Sequence, residues 1–449
     1  MSQNLEDLTQ SLLDAARKAG ADTADAIALK GTSVSIDVRN GVLEQAERSE
    51  GTDIGLRVLI GQRQANVSAS DASPETIRTL AERAVAMAKE APEDPYIGLA
   101  ASDQLARNWD ISALELVDKT EEPSPETLQQ DAVAAESGAL VVNGVSQVQS
   151  ANASYAERAI HLAATNGFSG GYTRTDRGTS CVAIAGEGLG MERDYDGDVR
   201  IFQGDLRDSA DIGRSAGMRA VERLNARKPL TGNFPVLFDE RISGSLIGHL
   251  LGAANGASIA RGGSWLKDAL GQRVLPASMS VIEDPFRARV SGSRPFDAEG
   301  LPTARRAIIE NGVLTGWTLD LGSARKLDMT TTANAARGTS SGPSPANWNI
   351  SVSQGSQTKA DLLKDMGTGL LVTSMIGATI NPTTGDYSRG ASGFWVENGE
   401  IAYPVNECTI AGNLRDMLLT LQPANDARSW LSRVVPSLLV EGLTIAGNA

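Results

Sequence analysis

The stretch that most restricts how this chain can fold is residues 234–268, FPVLFDERISGSLIGHLLGAANGASIARGGSWLKD. The apolar run at residues 235–238 suits a buried strand. From Asp239 onward, Ile242, Leu246, Leu250 and Ala253 recur at helical spacing. An aspartate at that junction can cap the helix, because its carboxylate accepts from backbone amides that lack an intrahelical partner. The chain therefore passes straight from a strand into a helix, and His249, one of two histidines in the sequence, stands in the middle of that helix. A lone histidine on a largely apolar helix is ordinarily a hydrogen-bonded packing residue. As a functional group it would face a bound peptide or a partner subunit, and the residues alone leave both readings open.

The rest of the chain supplies layers for this unit to pack into. Leu5, Leu8, Leu12, Ala15 and Ala19 mark one face of a first helix, stopped at Gly20. Alternating segments at residues 24–29, 33–38, 54–60 and 63–68, separated by Gly31, Asn40-Gly41 and Gly61, predict an antiparallel meander. Ser73, followed by Pro74, caps a second helix. Residues 91–125 read as a connection, and a third helix follows Pro125. Further alternating runs cover residues 146–153, 159–164 and 170–185, with hairpin turns expected at Asn166-Gly167 and Asp196-Gly197. A helix at residues 209–225 closes this part. Beyond it, Asn311-Gly312 and Asn398-Gly399 read as turns, and TIAGN occurs at residues 409–413 and 444–448, expected to mark similar strand ends. The expected fold class is α+β: an α/β module at 1–95, a connection at 96–122, a second α/β module at 123–230 and a large β-rich domain at 231–449.

Composition excludes some partners. With 55 acidic and 41 basic residues the net charge is -14, which repels phosphate backbones and anionic lipids. Neither nucleic acid nor a membrane is an expected partner. The N-terminus lacks a signal-peptide pattern, so a cytoplasmic location is expected. Cys181 and Cys408 form no C-x-x-C pair and read as buried small hydrophobes. His161, Cys181, His249 and Cys408 include no local ligand pair, and no metal is expected on this chain.

Other chemical patterns fail on their context. Asp194, Asp196 and Asp198 resemble the start of a calcium loop, but Gly197 stands at the fourth place rather than the sixth, so a solvated hairpin turn is expected. GTSSG at residues 338–342 matches the nucleophile pattern G-x-S-x-G, yet Pro343 and Pro345 block the following helix and no histidine comes after His249. Ser264 and Lys267 fit S-x-x-K without the companion K-T-G. GEGLG at residues 186–190 lacks the helix that a phosphate loop needs. A self-sufficient hydrolase pairing His249 with Ser245 or Ser264 stands as an alternative.

Taken together, residues 236–268, the segment FDAEGLPTARRAIIENGVLTGW at residues 296–317 and the TIAGN pair resemble the TldD/PmbA, or modulator-of-gyrase, family over nearly the whole chain. The resemblance implies a two-subunit metalloprotease system that degrades or trims unfolded or small peptides. In its TldD type the helix carries His-Glu-x-x-x-His, two zinc ligands and a water-activating glutamate, with a cysteine ligand near the C-terminus. That pattern places Gly248 at the first histidine, His249 at the glutamate and Ala253 at the second histidine. The implied identity is a PmbA/TldE-type subunit with a degenerate site at Gly248, His249 and Ala253, no catalytic residue of its own, and zinc expected in a TldD-type partner. The expected partners are that subunit and peptides, with a homodimer if the chain is isolated. His249, Arg337, Ser340 and Arg389 are the peptide-binding candidates, the last three from small-residue loops. A non-enzymatic module acting on gyrase- or toxin-related partners is the alternative.

Overall fold

The protein is described by a computed structural model covering residues 4–447. Asn448, the last residue of the second TIAGN, and the outermost residues of modules 1–95 and 231–449 lie outside it. Asn4 caps α1 (Leu5–Ala19), and Gly20 closes it in left-handed backbone. The meander β1 (Thr23–Arg39), β2 (Val42–Ile60) and β3 (Arg63–Ala69) follows, then α2 (Pro74–Glu90), capped by Ser73. Next come α3 (Pro125–Leu140), β4 (Val145–Ala164), β5 (Ser169–Ala185), β6 (Glu192–Arg200) and α4 (Ser209–Glu222). The strands form one antiparallel six-stranded sheet in the order β3-β2-β1-β4-β5-β6, so the sheet runs continuously through both N-terminal modules.

Two local expectations are corrected here. Gly31 does not divide two strands: β1 continues through it, with Gly31 opposite Gly51, because ladders on both sides hold the backbone extended. Asp196-Gly197 is no turn either, but the middle of β6. The strand period of two puts Asp194, Asp196 and Asp198 on one face, each carboxylate nearly buried. Arg200 meets Asp198 at 2.9 Å, Arg207 and Arg219 meet Asp196 at 2.9 and 3.0 Å, and Arg241 meets Asp194 at 3.0 Å. Buried carboxylates need such partners. The run is a ladder of ion pairs rather than a solvated hairpin.

The sheet has two unlike faces. Ala24, Ala26, Ala28, Ile54, Leu56 and Val58 pack under α1 and α2, while Ala151, Cys181 and Ala183 pack under α3 and α4. Helices α3 and α4 approach so closely that a Cβ on Gly213 would lie 1.8 Å from the Ala135 carbonyl oxygen. On the opposite face, Ile27, Leu162 and Phe168 meet Phe296 of the C-terminal domain.

That domain begins with β7 (Gly232–Phe238), α5 (Glu240–Ala253) and α6 (Gly256–Ala260). It continues through β8 (Val281–Glu283), β9 (Arg306–Glu310), β10 (Val313–Leu314), α7 (Leu321–Lys326), β11 (Ala335–Ala336), β12 (Ser344–Pro345), β13 (Ile350–Val352) and α8 (Lys359–Met366). It ends with β14 (Gly369–Ile380), β15 (Asp386–Glu397), β16 (Glu400–Asn413), α9 (Leu414–Leu419), β17 (Gln422–Pro423), β18 (Arg433–Val434) and β19 (Leu438–Ala446). Strands β16, β15, β14, β7 and β19 lie side by side, and β16 also pairs with β19, closing the sheet on itself. The closure is made by the repeat: Thr409 pairs with Ala446, Ile410 with Ile445 and Ala411 with Thr444. The two TIA segments are each other's antiparallel partners, which leaves these strands no free edge at that end. The fold is α+β.

Candidate functional site

The site is built where β7 hands over to α5. Val236 and Phe238 point into the domain's main core and Leu237 to its other side, against Leu371 and Leu439. Asp239 then caps α5, accepting from the Arg241 amide at 3.1 Å. Lys359 at 3.0 Å and Arg241 at 3.3 Å hold its carboxylate. Burial would raise the Asp239 pKa, but these cations keep it below its ordinary value, so the cap stays ionised. Leu246, Ile247, Leu250 and Leu251 bury the inner side of α5.

The remaining side of α5 is unusually bare. Gly244 and Gly252 would admit a Cβ with nothing within 4 Å, and a Cβ on Gly248 would meet only Arg433 Nη1, at 3.3 Å. Next to this strip stands His249. Its ring meets the edge of Tyr387 on β15 at 5.9 Å between centroids. Burial, and then the positive charge of Arg389, lower its pKa, so the imidazole is neutral near pH 7. His249 Nε2 and Ser245 Oγ, four residues apart on the same helical face, are both buried without a hydrogen-bond partner. Buried polar atoms are rarely left so, and each orphan calls for an explanation.

The neighbouring strands supply a second unused group. Strand β14 pairs with β7 only through Leu370, Leu371 and Val372, but with β15 as far as Ile380. Past Val372 no strand among the described residues pairs with the other edge of β14. Its residues 376–379 are exposed, with Ile376 at 78%. Arg389 Nε donates to the Gly377 carbonyl at 2.7 Å, and the Tyr387 hydroxyl donates to Met375 Sδ at 3.4 Å. Tyr387 and Arg389 thus reach the exposed end of β14 from β15, and His249 meets Tyr387 there.

The structure brings His249 and Arg389 together, but not Arg337 and Ser340. Arg337, following β11, has a side chain with no solvent exposure and is ion-paired with Asp25 on β1. Ser340 is exposed on the same loop, which docks on the N-terminal sheet. Ser264 is 1% exposed and donates to the Ala253 carbonyl at 2.6 Å, which fixes it as a structural hydroxyl. Ser245 makes no hydrogen bond to His249, so the serine-histidine alternative has no assembled pair. Burial pushes the Cys408 thiol up to about 11 and the Cys181 thiol up to about 12, as expected of inert buried cysteines.

A zinc ion needs three or four converging nitrogen, sulfur or oxygen ligands. Among the described residues no group of three or more His, Cys, Asp or Glu is placed to hold a metal ion. Gly248 and Ala253 offer no ligand atom, and guanidiniums of Arg389 and Arg433 border this face of α5. The residues present do not fit a zinc site. The sequence did not point to the pairing of Arg389 with His249, nor to the orphan Ser245 hydroxyl. The glycines at 244, 248 and 252, each four residues from the next, were a legible sign of an open helix face.

Comparison with known proteins names the class. The chain belongs to the PmbA/TldD family: the descriptions PmbA/TldA metallopeptidase domain 1, central domain and C-terminal domain match residues 24–88, 110–224 and 231–447. It is 35% identical to the metalloprotease PmbA of Escherichia coli O157:H7 over 99% of this chain and 96% of that protein. A crystal structure from Bacteroides thetaiotaomicron, described as of a modulator of DNA gyrase, superposes with a TM-score of 0.91 at 24% identity, covering 98% of both chains. TldE from Thermococcus kodakarensis superposes at 0.84 and 20% identity, over 98% of this chain and 100% of that one. Among the described residues no helix is long and apolar enough to cross a membrane.

Proposed function

We propose that this chain is the PmbA/TldE-type subunit of a two-subunit peptidase: it binds no zinc, and it supplies a peptide-binding wall to a zinc-bearing TldD-type partner. The observation that carries this reading is the face of α5, where the family's ligand positions hold Gly248 and Ala253, and His249 stands beside Arg389 rather than beside another ligand. A guanidinium next to the imidazole opposes a metal cation but suits the carbonyl groups of a peptide.

In this reading an extended peptide adds to the free edge of β14 at residues 374–380, so that main-chain hydrogen bonds provide affinity without demanding a sequence. His249 Nε2 and Ser245 Oγ, orphaned in the free chain, take polar groups of that peptide. The substrates are unfolded or small peptides, and the chain works in the cytoplasm.

The test is cleavage of an unstructured peptide by this chain alone, by a TldD-type subunit alone and by the mixture, each with and without chelator. The mixture is expected to cleave fastest, with all activity lost to chelator. Strong metal-dependent cleavage by this chain alone would overturn the reading.

A further inference from the structure

The N-terminal sheet rests on the C-terminal domain partly through buried charge. Asp25 on β1 and Arg57 on β2 lie on the sheet face away from its helices, and Arg57 Nε donates to Asp25 Oδ2 at 2.7 Å. Arg337 donates to the other Asp25 oxygen. Glu299 lines the same small cavity, about 10 Å³, as Asp25, Arg57 and Arg337. Behind it stand Asp297, 0% exposed, and Asp320, 6% exposed.

Each carboxylate is tied in place. Asp297 accepts from the Glu299, Leu301 and Ala335 amides at 2.9 to 3.0 Å. Glu299 Oε2 accepts from the Leu321 amide at 2.9 Å, and Asp320 caps α7. Arg294, half-buried and stacked on Trp348 at 3.8 Å, is a further cation facing Asp297. Asp25, Asp297, Glu299 and Asp320 therefore outnumber Arg57, Arg337 and Arg294 in a largely buried seam. An unpaired buried charge is costly enough that a group takes up a proton instead. Burial and the adjacent Asp297 push Glu299 well above the carboxylate range, whereas Arg337 and Arg57 hold Asp25 below it against the effect of burial.

We propose that Glu299 is the proton-holding member of this seam, and that loss of its proton loosens the N-terminal sheet and releases the loop at residues 337–345. The loop joins two parts of the molecule. Its Thr339 carbonyl lies where a Cβ on Gly55 would come within 2.2 Å, so sheet and loop meet backbone to backbone. At its far end the Pro345 carbonyl accepts from Asn255 Nδ2 at 2.8 Å, and Asn255 caps α6 directly after α5. The seam is thereby connected to the helix that carries His249. The docked state keeps a proton that the opened state gives up more readily, so docking is strongest below the ordinary carboxylate pKa that Glu299 regains on opening, weakens as pH rises from there toward its raised docked-state pKa, and levels off above it.

Hydrogen exchange on the full chain tests this, with rates corrected for intrinsic pH dependence. Protection of residues 337–345 should fall between the opened-state and docked-state pKa values of Glu299, by up to about tenfold per pH unit, the limit for one linked proton, and level off above them. Glu299→Gln, which mimics the protonated group, should abolish that fall. Asp297→Asn, which removes the adjacent negative charge that disfavours the Glu299 anion, should lower the docked-state pKa and move the fall to lower pH. Protection that does not vary with pH in the wild type, or that still falls in Glu299→Gln, would overturn the proposal.

Discussion

His161 and His249 sit in comparable places, each where a helix packs on strands, and burial lowers the pKa of both. Their hydrogen bonding differs. His161 Nδ1 lies 2.9 Å from Thr9 Oγ1 of α1, and its Nε2 lies 3.5 Å from Ser169 Oγ. The Thr9 hydroxyl is itself anchored to the Glu6 carbonyl at 2.9 Å. Gly171 leaves room for the ring, since a Cβ there would sit 2.9 Å from His161 Cδ2. His249 has an open glycine strip, a nearby cation and an unpartnered Nε2 instead. The same residue type thus serves as a rivet in one module and keeps an unpartnered ring nitrogen in the other. What separates them is whether the fold completes their hydrogen bonds.

Substitutions should separate the two roles. The largest effect on stability is expected from His161→Ala, which removes a ring that ties α1 to the sheet and leaves the Thr9 hydroxyl short of a partner. A loss of about 2 to 3 kcal/mol in denaturant unfolding is expected, with peptide affinity unchanged. A loss below about 0.5 kcal/mol would remove the distinction. His249→Ala should do the reverse. Because its Nε2 is already unpartnered, stability should change by no more than about 1 kcal/mol, while peptide binding by this chain mixed with a TldD-type subunit should weaken by about tenfold, or about 1.4 kcal/mol.

A smaller effect comes from pH. The native pKa of His161 is depressed, so the unfolded chain takes up protons first as pH falls below about 6.5, and the native state loses stability going down through that window. Chemical denaturation of wild type and His161→Gln in parallel should show their stability difference shrinking toward acid. A constant difference would mean that the ring titrates alike in both states. The smallest effect is electrostatic. Arg389→Gln removes one of the causes that lower the His249 pKa, so the imidazole resonances should titrate at higher pH, with little change in thermal stability. No upward shift would place Arg389 too far from the ring to matter.

Much of the strand-to-helix unit could be read directly. The cap at Asp239 and the buried face through Leu246, Leu250 and Ala253 follow from local spacing, whereas singling out Gly248 and Ala253 as ligand positions rested on the family resemblance. What could not be read depends on contacts distant in sequence. The TIAGN repeat was visible, but not that its copies pair with each other to close the barrel. The loop at residues 337–345 was legible as a loop, yet its docking on Gly55 and Asp25 needs the whole C-terminal domain to bring it there. The aspartates of β6 carried a usable signal that their glycine obscured: alternate spacing places all three on one face, opposite Arg219 and Arg223 one helical turn apart on or at the end of α4.

The central claim is that the wall formed by α5 and the free edge of β14 is where a peptide lies. A crystal structure of this chain with a TldD-type subunit and an extended peptide tests it most directly. A main-chain ladder from the peptide to residues 374–380, with a peptide group on His249 Nε2, is predicted. A peptide held without any main-chain hydrogen bond to this chain, and with His249 Nε2 still unpartnered, would contradict it.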